Sequence, residues 1–500
     1  DEHNQQLEAN VRPPSWPNPS PSAPYHLVVI GAGTAGLVTA AGAAGLGARV
    51  ALIERGLMGG DCLNVGCVPS KTLIRAGRAV SDVRSAARFG VQVPEGTGVH
   101  FSEVMDRVCR IRAQISPHDS AHRFRDEYGV DIFLGGGRFT GPDTVEVEGA
   151  TLHFERAVIA TGARASVPPI PGLVEADYLT NETVFNLTEQ PSLLAVLGGG
   201  PIGCELAQTF ARLGSEVTII EMGARFLPRE DVDAASVLRA ALERDGVDVR
   251  LGTTLERVET EGTTKVLHLA TGERSATLEA DAILVGVGRT ANVDGLGLET
   301  AGVRFGARGV EVNDFLQTSN PRIYAAGDVC SSYKFTHAAD FMARAVIQNA
   351  FFSFAGRKRV SSLTIPWCTY TDPEIAHVGL HERDAAAKGV EVTTFTVPMS
   401  GVDRAIAEGE DQGFVKIHVK RGGDRIVGAT VVARHAGEMI SELTTAMVGE
   451  VGLGTLASVI HPYPTQAEAI RKAGDLYNRT RLTEGRSKLL RRYFAWRRRK

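Results

Sequence analysis

The chain has 500 residues, a formal net charge of −4, 43% hydrophobic residues, 55 glycines and six cysteines. That length exceeds what one core organises and predicts two to four domains, and the mild acidity gives no reason to expect a nucleic-acid partner. No apolar run reaches the roughly 18 residues of a membrane span, and so few cysteines in so long a chain form no secreted disulfide framework, which points to a reducing, cytoplasmic setting.

Residues 1–24 are polar and carry Pro13, Pro14, Pro17, Pro19, Pro21 and Pro24. That composition predicts a disordered or extended leader. It lacks the apolar stretch of a signal peptide, and its acidic residues argue against a transit peptide. Order is expected from Tyr25. His26–Ile30 reads as a buried strand, followed at once by Gly31-Ala-Gly33-Thr-Ala-Gly36, an Ala-rich helix and a second strand, Arg49–Ile53, ending in Glu54. This strand, glycine turn, helix, strand and acidic residue make a complete dinucleotide-binding unit. Its glycines let backbone approach a pyrophosphate at the helix N-terminus, and Glu54 can accept hydrogen bonds from a ribose.

Next comes Gly59-Gly60-Asp61-Cys62-Leu63-Asn64-Val65-Gly66-Cys67-Val68-Pro69-Ser70-Lys71. In a regular helix an i,i+5 pair stands roughly 8–9 Å apart at Cα, whereas a disulfide needs about 4.4–6.8 Å. The residues between Cys62 and Cys67 must therefore loop, and Asn64 and Gly66 permit it. Pro69 suits the first turn of a following helix. That places Cys67 near a helix N-terminus, where the dipole favours a thiolate. An exchangeable disulfide, a zinc half-site and two unrelated core thiols all remain open on this stretch alone. Zinc would need ligands at matching spacing, and Cys109, Cys204, Cys330 and Cys368 stand singly.

The dinucleotide unit then recurs. Ser192–Leu197 leads into Gly198-Gly-Gly200-Pro-Ile-Gly203, a helix, and Glu216–Ile220 ending in Glu221. In both units 23 positions separate the first glycine from the acidic residue. Two dinucleotides in one chain are implied. With a disulfide, a flavin and a nicotinamide form an electron path, whereas two nicotinamides do not. Beyond about Ser361 the pattern turns to alternating strands. Phe414–Lys420 and Arg425–Val432, joined by Arg421-Gly-Gly-Asp424, read as a hairpin, and helical segments follow.

The cysteine stretch closely resembles the redox segment of the FAD-dependent pyridine nucleotide-disulfide oxidoreductases, which include dihydrolipoamide dehydrogenase, glutathione reductase and mercuric reductase. Further segments resemble the same family over Tyr25 to Ala473: Ala160-Thr161-Gly162 where the chain crosses between domains, Asp281 to Gly288-Arg289 leaving the nicotinamide domain, and Thr318 to Gly327-Asp328 as the second flavin motif. The resemblance implies an α/β fold with two Rossmann-like domains, for FAD and NAD, plus a C-terminal α+β dimerisation domain. The expected division is 1–24 leader, 25–156 with 288–355 for FAD, 157–287 for NAD(P)H, 356–480 for dimerisation and 481–500 as a basic tail. It also implies a homodimer in which each subunit completes its partner's active site.

Carried over by position, Cys67 would lie against the flavin and Cys62 would meet the substrate. Lys71 matches the lysine near flavin N5, and Glu205 its acidic partner. Asp328 would contact the ribityl chain. Glu221 favours NADH over NADPH because a carboxylate repels the extra phosphate, although Arg225 lies near in sequence. The family's His-Pro-Thr-x-x-Glu is replaced by Tyr463-Pro464-Thr465-Gln466-Ala467-Glu468, with His461 two residues earlier. Tyrosine is a poor base near neutral pH, and mercuric reductases resemble this chain in carrying Tyr there. His461 paired with Glu468 is one replacement base; a structural loop histidine is the other reading. The acceptor is therefore read as a small disulfide or a thiol-reactive species such as Hg2+. Direct transfer from flavin to a quinone or metal ion is the alternative. From Arg486 to Lys500, eight basic residues accompany Leu489, Leu490, Tyr493, Phe494 and Trp496. On a helix these apolar residues form a stripe that would contact an anionic membrane or pack on the protein itself.

Overall fold

Five of the six residues of Tyr25–Ile30 (β1) are buried, and this strand sets the middle of the first sheet. The structure is a computed structural model describing residues 1–21 and 23–498; Ser22 of the leader and the last two tail residues lie outside the described residues. β1 pairs in parallel with Val50–Glu54 (β2), Leu27 opposite Val50, and on its other side with Ala150–Ile159, Val28 opposite Ala157. Asp131–Leu134 (β3) extends the sheet beyond β2. Arg138–Gly141 (β4) and Thr144–Val147 (β5) extend it beyond Ala150–Ile159 (β6), antiparallel, and Ile323–Ala325 also pairs with β6. Parallel strands covered on both faces need apolar side chains on both, which is why Leu27-Val-Val-Ile30 and Val50-Ala-Leu-Ile53 run without polar interruption.

A second parallel sheet is built from Leu193–Leu197 (β7), Glu216–Glu221 (β8), Asp248–Leu251 (β9) and Ala282–Val285 (β10), in the order β9-β8-β7-β10. It shares a core with an antiparallel meander over residues 253–280, through Leu197, Ile220, Leu267 and Ile283. Both sheets belong to one compact unit, Asp1–Ala224 with Gly246–Leu363. The second unit takes Thr364 onward and also Arg225–Asp245, a stretch that the sequence reading assigned to the nicotinamide domain. Its centre is a five-stranded antiparallel sheet. The sheet runs in the order Trp367–Thr369 (β11), Glu374–Gly379 (β12), Ile426–Ala433, Phe414–Lys420 and Val392–Pro398. The expected hairpin is present as Phe414–Lys420 and Ile426–Ala433, though both strands are buried on both faces rather than alternating.

The leader differs from expectation. Glu2–Val11 is a helix (α1) capped by Asp1, whose Oδ1 accepts the Asn4 N–H at 2.6 Å. Leu7 and Val11 are buried. After it, Trp16 Nε1 donates to the Ile132 carbonyl and Asn18 exchanges hydrogen bonds with the Leu134 backbone, so the proline-rich stretch lies along β3. Polar composition misled because two buried apolar side chains and these three hydrogen bonds to backbone hold the short segment on an existing surface. The tail is also helical, Glu484–Arg497, with no buried residue and with Leu489, Leu490, Tyr493, Phe494 and Trp496 of its stripe all exposed.

Candidate active site

Both glycine turns use glycine because backbone fills the space where a side chain would stand. A Cβ on Gly31, at φ +103°, would sit 2.4 Å from the Ala160 carbonyl oxygen; one on Gly36 would sit 1.7 Å from the Gly31 oxygen. The second turn repeats this: Gly198 has φ +99°, and a Cβ on Gly203 would meet the Gly198 oxygen at 2.1 Å. Each turn delivers backbone directly into a helix N-terminus, Gly33 capping Thr34–Gly45 (α2) and Gly200 capping a helix over Pro201–Leu213.

The two acidic residues act alike. Glu54 accepts the N–H of Ala32 and of Gly56, both at 2.6 Å, and Glu221 accepts those of Gly199 at 2.8 Å and Gly223 at 2.7 Å. Each carboxylate thus braces its glycine turn, and each oxygen keeps a second lone pair for a ribose hydroxyl. Burial raises the Glu54 pKa, against the backbone hydrogen bonds that lower it.

Cys62 lies in a short helix, Gly60–Asn64 (α3), and Cys67 opens a long one, Cys67–Ser85 (α4). Only Val65 and Gly66 separate the two helices, as the disulfide geometry required. Gly66 is needed for space rather than for a left-handed turn: a Cβ there would stand 2.7 Å from the Asp61 carbonyl oxygen. Asn64 works through its side chain, donating to the Met58 carbonyl at 3.0 Å and the Gly60 carbonyl at 2.8 Å. Both cysteines are thiols here. A hydrogen bond from Cys62 to Cys67, followed by Thr336 at 3.3 Å and the charge of Lys71, lowers the Cys67 pKa against desolvation by the surrounding protein, although the residue itself is exposed. The same hydrogen bond and burial raise that of Cys62. The thiolate therefore belongs to Cys67, in line with its place at a helix N-terminus.

Lys71, one turn into α4, places Nζ 2.9 Å from Glu205 Oε2. Glu205 is buried in the helix after the second glycine turn, so one ion pair joins the cysteine segment to the second dinucleotide unit. Thr161 and Gly162 lock onto Asn292: Thr161 Oγ1 donates to the Asn292 carbonyl at 2.7 Å, and Asn292 N donates to Gly162 O at 3.0 Å. The Gly288 carbonyl accepts from Ser166 N at 2.9 Å, and Gly327, at φ +82°, puts its missing Cβ 3.3 Å from Ala35 Cβ at the first turn.

Several contributors were not read as site residues. Arg289 Nη2 bonds both Asp61 Oδ2 and the Ala163 carbonyl, and its Nε stands 3.5 Å from Asp328 Oδ2. Lys334 donates to the Asp328 carbonyl at 2.9 Å. Burial raises the Asp328 carboxyl pKa although Arg289 and Lys334 oppose it. Arg289 Nε is buried without a hydrogen-bond acceptor. Asp61 and Arg289 both lay inside stretches singled out in the sequence; nothing local marked Thr336. A crowded glycine turn, a carboxylate braced on that turn, a half-buried Asp328 and a buried Arg289 Nε without a hydrogen-bond acceptor together fit a flavin dinucleotide.

In the second unit His461 does not meet Glu468. Its Nε2 is 2.9 Å from Glu442 Oε1 and its Nδ1 faces the Val459 carbonyl at 3.1 Å. Glu468 is instead engaged by Arg471 at 2.8 Å and Lys472 at 3.7 Å, its own helical neighbours. Pairs at i,i+3 and i,i+4 on one helix meet without any loop rearrangement. Tyr463 donates its hydroxyl to Asp403 Oδ2 at 2.9 Å, and that hydrogen bond raises the phenol pKa. Ile460, next to this loop, is 94% exposed.

Two nucleotide-type turns and a thiol–thiolate pair backed by a lysine define a flavoprotein disulfide reductase. The profile for pyridine nucleotide-disulphide oxidoreductases matches residues 25–343, and that for their dimerisation domain matches residues 365–474. The chain belongs to this family, which is FAD-dependent and uses NAD(P)H, and it is an oxidoreductase. It is 36% identical to a mercuric reductase of Bacillus cereus over 450 residues, 90% of this chain and 71% of that one. It is 35% identical to a dihydrolipoyl dehydrogenase of Thermus scotoductus over 458 residues, 90% and 97% respectively. Among solved structures, the Cu(II) complex of the HOCl-induced flavoprotein disulfide reductase RclA from Escherichia coli aligns with a TM-score of 0.82 at 29% identity. That alignment covers 91% of this chain and all of RclA. Among the described residues no helix is long and apolar enough to cross a membrane.

Proposed function

We propose that this protein carries electrons from NADH to a small thiol-reactive acceptor through the Cys62–Cys67 pair, with a soft metal ion such as Hg2+ favoured over a lipoamide-type disulfide. The observation that carries the reading is the placement of Cys62 in α3 and Cys67 at the first residue of α4, only Val65 and Gly66 parting the two helices, with Lys71 one turn further on and paired with Glu205. When bound, FAD supplies two-electron exchange between a nicotinamide and a disulfide. Residues suited to hold it are Gly31, Gly33, Gly36, Glu54, Thr161, Gly162, Gly327 and Asp328. Gly198, Gly200, Gly203, Glu221 and Gly288 are suited to the nicotinamide dinucleotide. Glu221 supports NADH.

The chain's own work is then proton and thiol handling. Lys71 holds positive charge beside Cys67, and Glu205 keeps that ammonium in place. Cys62 carries the proton of the reduced pair and directs it at Cys67 Sγ, so Cys67 can accept that proton as Cys62 attacks. A disulfide acceptor would break its S–S bond, form a mixed disulfide with Cys62 and release one thiolate. Cys67 would pass that proton to the first released thiolate and, as a thiolate again, displace the second, closing Cys62–Cys67 and leaving the acceptor two electrons richer. The second released thiolate needs a further proton donor. Both nitrogens of His461 face acceptors, and Tyr463 is held by Asp403, which supports an acceptor whose product needs no proton. The match to a dimerisation domain and the exposed Val459, Ile460 and Tyr463 support a homodimer.

Anaerobic NADH reduction of the purified holoprotein, followed by Hg2+, lipoamide, glutathione disulfide and quinones in turn, tests the reading. Oxidation by Hg2+ that requires both cysteines is expected. Faster turnover of lipoamide would reverse the choice of acceptor, and quinone turnover surviving loss of both cysteines would favour direct transfer.

A further inference from the structure

α1 reaches the redox loop through Arg112. This arginine lies on Phe101–Ile115 (α5) and is only 5% exposed. Its Nη1 donates to the Asn64 carbonyl at 3.0 Å. Its Nη2 donates to Asn4 Oδ1 of α1 at 3.1 Å and lies 3.3 Å from Cys109 Sγ. Among the described residues every acceptor is neutral, and Nε is buried without one. A buried cation held only by neutral groups is costly, so this is an arrangement that packing alone would not favour.

The loop is also tied at its other end. Met58 N donates to the Val11 carbonyl, the last residue of α1, at 3.1 Å. Arg12 Nη1 donates to the Arg55 carbonyl at 2.5 Å and the Gly56 carbonyl at 2.9 Å, between Glu54 and the loop. Asn10 Nδ2 bonds Ser116 Oγ at 2.8 Å just beyond α5. Asn64 closes the figure by holding Met58 and Gly60 with its amide. The segment from Met58 to Asn64, which carries Cys62, is therefore pinned at both ends by one N-terminal helix.

We propose that α1 is a built-in clamp on the redox loop and that Arg112, held by Asn4, is the positioning residue that presents Cys62 to Cys67 for disulfide closure. The proposal rests on reading the two cysteines as a redox pair. Closure is intramolecular, so its equilibrium follows the effective concentration of one sulfur at the other, and that falls when the intervening loop is loosened. Removing Asn4 or Arg112 frees the Asn64 end while leaving both thiols and the Lys71–Glu205 pair in place.

The test is the dithiol–disulfide equilibrium of the flavin-loaded chain in dithiothreitol buffers at pH 7, read by acid quench and alkylation. In it the two cysteines lose two hydrogens and form one S–S bond, while oxidised dithiothreitol opens its S–S bond and takes them. Asn4→Ala and Arg112→Met should each shift the equilibrium about 10-fold toward the dithiol, with the double variant shifted no further than Arg112→Met. Asn4→Asp, which keeps an oxygen toward Arg112, should stay within about twofold of wild type. If Arg112→Met does not fold, the Asn4 pair decides. A wild-type protein that closes normally, beside Asn4→Ala closing equally well, overturns the clamp alone. A wild-type protein that forms no Cys62–Cys67 disulfide overturns the redox-pair reading and the clamp with it.

Discussion

Lys71 Nζ and Glu205 Oε2 lie 2.9 Å apart although 134 positions separate them in the chain. The pair connects the helix opened by Cys67 with the helix that follows the second glycine turn, so the thiol segment and the second dinucleotide unit share one electrostatic element. Glu205 is almost fully buried while Lys71 remains partly exposed. Removing the carboxylate therefore takes an anion from beside Lys71, and removing the lysine takes a cation from beside a buried carboxylate. Glu205→Gln and Lys71→Met should each slow anaerobic reduction of the bound flavin by NADH about 10²-fold, the usual range for losing one preorganised charge. Because they act as a unit, the double variant should be little slower than Lys71→Met. Multiplicative losses in stopped-flow traces would show that the pair is not one element.

The reduced protein should display one thiolate at mildly acidic pH. Cys67, lowered to about 6, gains thiolate as pH rises through that value, while Cys62 is raised and stays protonated. An ultraviolet difference titration should show one thiolate with a midpoint near 6 and no second one through neutral pH. Thr336→Val and Cys62→Ala each delete a donor to Cys67 and should move the midpoint upward. Two thiolates titrating together near the ordinary cysteine value would contradict the hydrogen-bonded pair.

Glu230 gives the second unit a stability term that depends on pH. Burial raises its carboxyl to about 7, with the Trp367 Nε1 hydrogen bond at 2.8 Å opposing. A raised carboxyl stabilises the fold fully below its ordinary 4.5 and loses that contribution as pH rises through about 7. Glu230→Gln keeps an acceptor for Trp367 and cannot ionise. Its melting temperature should exceed that of wild type by about 2–4 °C above pH 8 and converge with it below pH 4.5. His381 has the opposite sign: lowered to about 4 by burial, it stabilises above pH 6.5 and loses that as pH falls through 4. It is common to both proteins and cancels in the difference. A gap that widens toward acid would refute the assignment to Glu230.

His461→Ala should leave Hg2+-dependent NADH oxidation within about twofold of wild type, because the ring is committed to Glu442 and Val459. General-base loss would instead cost about 10²–10⁴-fold. Tyr463→Phe, which forfeits only the contact to Asp403, should be equally mild. A large loss of lipoamide turnover in His461→Ala and Glu442→Gln alike would identify His461–Glu442 as the working base after all.

Deleting residues 486–500 should not alter melting or flavin reduction, since no side chain of Glu484–Arg497 is buried. It should abolish low-salt co-sedimentation with anionic vesicles, to which each basic residue near the surface adds about 1 kcal/mol. Equal sedimentation with and without the tail would remove the membrane reading.

The glycine turns, Glu54 and Glu221, the strands leading into them and the start of α4 at Cys67 were all legible in the sequence, because each is settled within one turn or one strand pair. Glycine spacing reports where backbone must pass close to backbone, and runs such as Leu27-Val-Val-Ile30 report burial on two faces. Lys71 and Glu205 were named through resemblance, and their contact across the fold followed. Arg112 on Asn64, Arg289 on Asp61, Thr336 beside Cys67, the helical leader and the exchange of Glu468 for Glu442 beside His461 were decided by tertiary structure alone. Each joins side chains far apart in the chain or picks one carboxylate from several, and such a choice depends on which surfaces the packed core brings within about 3 Å. Local pattern specifies the elements; only their packing selects the partners.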